Sequence, residues 1–143
     1  MLFTQDRTTL RRRYLQAWQK WRAQEPMEAL ERQLAELIAE HPEYHALLEN
    51  KAALDRDYAP ESGQSNPFLH LSMHLAIREQ LATQRPAGII ERYRALLDRL
   101  GDAHAVEHHI MECLGLSLWE AQRSGRAPDE QDYLNCLRQA AER

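Results

Sequence analysis

The chain has 143 residues but only two cysteines, five glycines and six prolines, and it has no apolar run near the ~20 residues of a membrane-spanning helix. Each shortage excludes something. Cys113 and Cys136 form no Cys-x-x-Cys pair, and a chain of this size needs no disulfide staple, so both are expected as reduced thiols. The few glycines and prolines fall between periodic segments rather than inside them, which favours helices with short connections. No segment alternates strictly between apolar and polar residues, so no strand is expected. There is no phosphate-cradling loop and no Ser-His-Asp arrangement. The N-terminus lacks the apolar stretch of a secretory signal, its arginines interrupting every candidate, and the expected location is cytoplasmic, with no membrane partner.

What is present is a chain that is 43% hydrophobic and 28% charged, enough for a core and ordinary for a folded protein. Its apolar residues recur at three and four, the period of a buried helix face. Leu10, Tyr14, Ala17, Trp18 and Trp21 make such a stripe in a first helix over 7–24, capped by Asp6 or Thr8. Met27, Leu30, Leu34, Leu37 and Ile38 make a second, with Pro26 in its first turn. It ends at His41-Pro42, because a residue before proline is pushed out of the α region. A short helix holding Tyr44, His45, Leu47 and Leu48 follows, and residues 58–66 read as a loop. Asn66 and Pro67 then supply a cap and a first helical residue for a central helix to about residue 84. Ile89 to Leu100, stopped by Gly101, is the next helix. Asp102 caps a long one over 102–124, ended by Gly125. Pro128 and Asp129 open the last, with Tyr133, Leu134, Leu137 and Ala141 inward. The expected fold is all-α: a compact bundle of five to seven helices in a single domain, 1–143.

Charge is unevenly spread. Residues 1–24 carry Arg7, Arg11, Arg12, Arg13, Lys20 and Arg22 against Asp6 alone, although the formal net charge of the whole chain is −4. A basic helix on an acidic body admits an anionic partner, and a Trp/Tyr stripe beside arginines admits stacking on nucleic-acid bases. A solvated basic face with its aromatics in the core explains the same pattern, so nucleic acid is not the expected partner. A protein partner, taken up by the first helix or the 58–66 loop, is a separate expectation.

The pattern that asks for chemistry is in the histidines. On a helical wheel His70 and His74 share an apolar face with Met73, Ile77 and Leu81, while Ser72, Glu79 and Thr83 lie opposite, towards water. The long helix repeats the arrangement: His104 and His108 share a face with Met111, Gly115, Leu118 and Trp119, flanked by Glu107 and Glu112. Side chains four apart on a helix lie ~5–6 Å apart at Cβ, so two imidazoles can converge on one ion. Buried imidazoles need partners, and bundle interiors are where metal sites are built from facing helices. The expected ligands are His70, His74, His104, His108 and Glu112, with His45 and Glu107 as further candidates. This set suits zinc, iron, manganese or nickel better than calcium or magnesium. His41 and His45 are also four apart, but Pro42 removes them from one helix face, and His109 points away from His104. The competing expectation is a metal-free interaction module whose histidines form a closed hydrogen-bond network.

Three segments carry a resemblance. His41-Pro42-Glu43-Tyr44-His45, the run from Asn66 to Gln80, and Met111-Glu112-Cys113-Leu114-Gly115 with Trp119-Glu120-Ala121-Gln122-Arg123 resemble the bacterial family called domain of unknown function 1841, over nearly the whole chain. That resemblance implies a small bacterial single-domain protein and implies no activity. In site design alone, the inward histidines are similar to those of hemerythrin-like bundles, whose ligand order this chain does not share.

Overall fold

A computed structural model describes residues 7–54 and 66–142. Asp6 and all of the expected 58–66 loop except Asn66 lie outside the described residues. Among those described there are seven α-helices, two short 3-10 turns and no strand. The fold is therefore all-α, as the periodicity predicts. The helices are α1 (Arg7–Arg22), α2 (Ala29–Ala39), α3 (His45–Leu48), α4 (Pro67–Thr83), α5 (Ile89–Leu100), α6 (Ala103–Ser124) and α7 (Glu130–Glu142); the 3-10 turns are Pro42–Tyr44 and Lys51–Leu54. Contacts group the chain into two compact units, Met1–Leu75 and Ala76–Arg143. The division falls inside α4, so His70 and His74 belong to the first unit and Arg78 to the second.

In the first unit α1 packs on α2, and the core holds Tyr14, Ala17, Trp18, Leu34, Leu37, Ile38, Leu48, Phe68 and Leu71. Leu10 and Trp21 pack at its edge. The second helix starts later than expected, at Ala29, with Glu28 N–H donating to the Glu31 carboxylate (2.9 Å), so Pro26 precedes it. Asn66 caps α4 as predicted: its Oδ1 accepts from the N–H groups of Phe68 (3.0 Å) and Leu69 (3.2 Å).

Two residues of this unit depart from the wheel reading. Arg11 is buried rather than part of a solvated basic face. Its Nη1 donates to the carbonyls of Ala53 (3.4 Å) and Leu54 (3.3 Å), which end the second 3-10 turn, and its guanidinium lies 4.9 Å from the Phe68 ring centre. Ser72, expected towards water, is hydrogen-bonded to the Tyr14 hydroxyl. Burial pushes the Tyr14 phenol above its usual value, and the bond to Ser72 offsets part of that.

In the second unit α5, α6 and α7 pack on one another, burying Ile77, Ile89, Leu96, Val106, Ile110, Met111, Leu134 and Leu137. Asp102 Oδ2 accepts from Ala105 N–H (3.0 Å), and Gly101 and Gly125 end their helices with positive φ (73° and 72°). Asp129 caps α7 through Gln131 N–H and Asp132 N–H. Tyr133 O–H donates to Gln80 Oε1 (2.7 Å), tying α4 to α7 within the unit. The two cysteines are not reduced thiols. Cys113 and Cys136 are joined in a disulfide, Cα–Cα 5.8 Å, linking α6 to α7. Spacing alone did not signal this, because the pair forms only once two antiparallel helices bring residues 23 apart together. None of the described helices is long and apolar enough to cross a membrane.

Candidate metal centre

The site grows from a helix end. Residue 41 stands before a proline, so the chain leaves the α conformation there (φ −126°, ψ 70°). The imidazole of His41 folds back, and its Nδ1–H donates to the carbonyl of Leu37 at 2.7 Å. That carbonyl is one of the last in α2; it accepts the Glu40 N–H (3.2 Å), while the His41 N–H goes to Ile38 instead, so the imidazole takes the place of the donor four residues on. With Nδ1 carrying the proton, Nε2 carries a lone pair. The ring is 1% exposed and stacks on Tyr44, ring centres 5.7 Å apart at an interplanar angle of 9°. Tyr44 has its phenol raised by burial and, secondarily, by the charge of Glu43.

His74 arrives from α4, fully buried, with its Nε2 3.3 Å from His41 Nε2. His70, one turn earlier and half-buried, brings its Nε2 to 3.2 Å from the same atom of His74. Three imidazoles of the first unit thus aim one nitrogen each at a common small volume. As the wheel predicts, Ile77 is buried and Glu79 is exposed; Met73 and Leu81 are half-buried.

His41 is the member that sequence reading passed over. Its proline neighbour removes it from the helix face shared with His45, and that same break turns its ring inward. His45 goes elsewhere. Its Nε2–H donates to Ile38 O (2.8 Å), and its ring lies 4.3 Å from Trp18, docking α3 on α1. With Nε2 committed there, His45 is a structural residue.

In the second unit His104 and His108 stack edge to face, ring centres 4.3 Å apart. Their ligand nitrogens lie within 4.8 Å of each other, the spacing expected for i and i+4 on one helix. Glu107 is buried, and both its oxygens are gripped by Arg78, Oε1 from Nε at 3.1 Å and Oε2 from Nη2 at 3.3 Å. Its carboxylate is engaged by a guanidinium, an arrangement the wheel did not reveal. Glu112 is exposed on α6. The apolar face expected to continue through Leu118 and Trp119 does not continue buried: they are 47% and 54% exposed, with Arg123 over the Trp119 ring.

A trio of convergent imidazoles, one fixed by a backbone carbonyl through its other nitrogen, is a set of residues that could hold a transition-metal ion. No curated protein and no solved structure matches the chain. A family model does, over residues 6–139, described as "Domain of unknown function (DUF1841)", and the chain belongs to that family.

Proposed function

We propose that this protein binds one transition-metal ion through His41, His70 and His74 of the first unit; His104 and His108 of α6 are a separate candidate pair within the second. One observation carries the reading: His74 Nε2 has two imidazole nitrogens at hydrogen-bond distance, 3.3 and 3.2 Å. An imidazole nitrogen has one proton or one lone pair. His41 Nε2 is an acceptor, because its Nδ1 donates to Leu37. A proton on His74 Nε2 can point at His41 or at His70, and the other contact then goes unmade. A cation between the rings resolves this, since every nitrogen then offers a lone pair to it. Ligands ~2.0–2.1 Å from a tetrahedral ion stand about 3.4 Å apart, close to the two spacings that His74 makes. The carbonyl end of α2 also favours positive charge there.

All-imidazole coordination suits zinc, nickel or iron, with manganese the poorer fit for want of oxygen ligands. Within the second unit, Glu112 lies one turn beyond His108 on the solvent side of α6 as a further candidate ligand for that pair, and Glu107 holds Arg78. Metal binding, without an assigned reaction, is the extent of this reading. The bacterial, cytoplasmic setting expected from the sequence is tested by trapping thiols in growing cells: the closed Cys113–Cys136 bond favours an oxidising compartment, and free thiols in the cell would restore the cytoplasmic one.

The test is elemental analysis of untagged protein purified without chelating resin, followed by titration against a chromophoric chelator. About one equivalent of metal is expected, with a rise in Tm on reconstitution. No retained metal, and no change in Tm with zinc, nickel, iron or manganese, would leave the imidazoles as a hydrogen-bond network and overturn the proposal.

A further inference from the structure

The first unit carries a groove that the metal reading does not use. It runs along α1, beside α3 and the 3-10 turn at Lys51–Leu54, and has a volume of about 570 Å³. That lies within the roughly 300–1,000 Å³ of small-molecule sites. Its apolar lining comes from Leu15, Leu48 and Leu54. Its charged lining is Arg12, Arg22, Lys51 and Glu49. Glu49 is already committed: one oxygen accepts from Trp18 Nε1–H (3.2 Å) and the other faces Arg22 (3.6 Å). Arg12 and Lys51 are exposed and have no carboxylate partner among the described residues. The groove therefore presents a leucine surface and two cations in excess, on a protein whose net charge is −4.

We propose that this groove binds a small amphiphilic anion, a carboxylate or phosphate monoester on an apolar chain. The leucines take the chain by excluding water from it. Arg12 and Lys51 take the head group, the arginine through its fork of donors and the lysine as a point charge. A bare anion leaves the leucines wet, and an uncharged chain leaves the two cations without a counter-charge. A longer polyanion is the competing occupant, because the same helix holds the chain's basic cluster. It makes no use of the leucines.

Isothermal calorimetry on the full chain decides this with four probes: decanoate, decyl phosphate, decanol and butyrate. Saturable binding at one site is expected for decanoate or decyl phosphate, and the stronger of the two identifies the head group. Decanol and butyrate are expected to bind at least ~10-fold more weakly, and high salt to weaken the anion. The double variant Arg12→Glu/Lys51→Glu, checked for fold by circular dichroism, is expected to lose roughly tenfold or more in affinity. Equal binding of decanol, or equal binding of butyrate, overturns the proposal. So does binding of a single-stranded oligonucleotide with no response to decanoate or decyl phosphate. If the double variant fails to fold, the ligand series and its salt dependence on the unaltered protein still decide the matter.

Discussion

Arg78 holds Glu107 by two nearly parallel bonds, at 3.1 and 3.3 Å, with the carboxylate side chain 9% exposed and the guanidinium 34%. Removing the acid strands a half-buried cation. Glu107→Ala is expected to lower unfolding free energy by about 2 kcal/mol, less than a fully buried pair would cost because Arg78 retains water. Adding Arg78→Met to that variant should recover part of the loss. Urea denaturation of the two single variants and the double measures the coupling.

The two histidines of opposite fate in the His-Pro-Glu-Tyr-His segment make the second test. His41→Ala and His74→Ala are expected to weaken metal binding by more than the ~10–100-fold of an outer-shell change. His45→Ala should leave metal affinity within a few-fold and cost about 1 kcal/mol of stability through the lost bond to Ile38. Chelator competition and thermal melts on the same samples separate the effects. Equal loss of metal in all three variants would contradict the assignment of His45.

The legibility of the sequence followed the range of the interactions. Caps and stops are local, and Asn66, Asp102, Gly101 and Gly125 perform the roles their types predict. The pairs His70/His74 and His104/His108 were visible because four residues on a helix is a local spacing. His41 was not, since its place depends on where a turn throws its ring. The Arg78–Glu107 pair and the disulfide join separate helices, and no periodicity records them. Leu118 and Trp119 failed for a different reason: α6 has 22 residues, while its neighbours α5 and α7 have 12 and 13. A wheel gives the direction of a face but not how far along the helix a neighbour covers it.

Reduction of the Cys113–Cys136 bond frees a long loop in the unfolded chain. With the two residues 23 apart, the loop-closure argument predicts a loss of about 3 kcal/mol. The urea midpoint in dithiothreitol is expected to fall below that of the oxidised protein and to agree with that of Cys136→Ala. A reduced protein as stable as the oxidised one would show that α6 and α7 hold together without the bond.

Alkaline pH supplies the fourth test. Burial raises the Tyr133 phenol above its ordinary range, with the bond to Gln80 working slightly the other way, and burial raises Tyr14 as well. An unfolded chain releases these protons near pH 10, before the folded one does. The stabilisation is therefore complete below pH ~10 and is lost as pH climbs beyond it. Urea midpoints at neutral pH and above pH 10 should fall more steeply for the unaltered protein than for Tyr133→Phe. At neutral pH that variant is expected to cost about 1 kcal/mol for the lost hydrogen bond.

The inward turn of Arg11 changes what the basic first helix offers to solution. Of six cations in α1, Arg11 is sealed against Ala53, Leu54 and Phe68, Lys20 is paired with Glu31 at 2.7 Å, and Arg22 faces Glu49. Arg7 also has a contact within the protein, which leaves Arg12 and Arg13 as the cations placed to displace condensed counterions from a polyelectrolyte. A nucleic acid laid along this helix would release about two ions rather than six, so the logarithm of its association constant would fall with the logarithm of salt at a slope of roughly −2. The counterions released, and not the arginines written in the sequence, measure how strongly this helix attracts a polyanion.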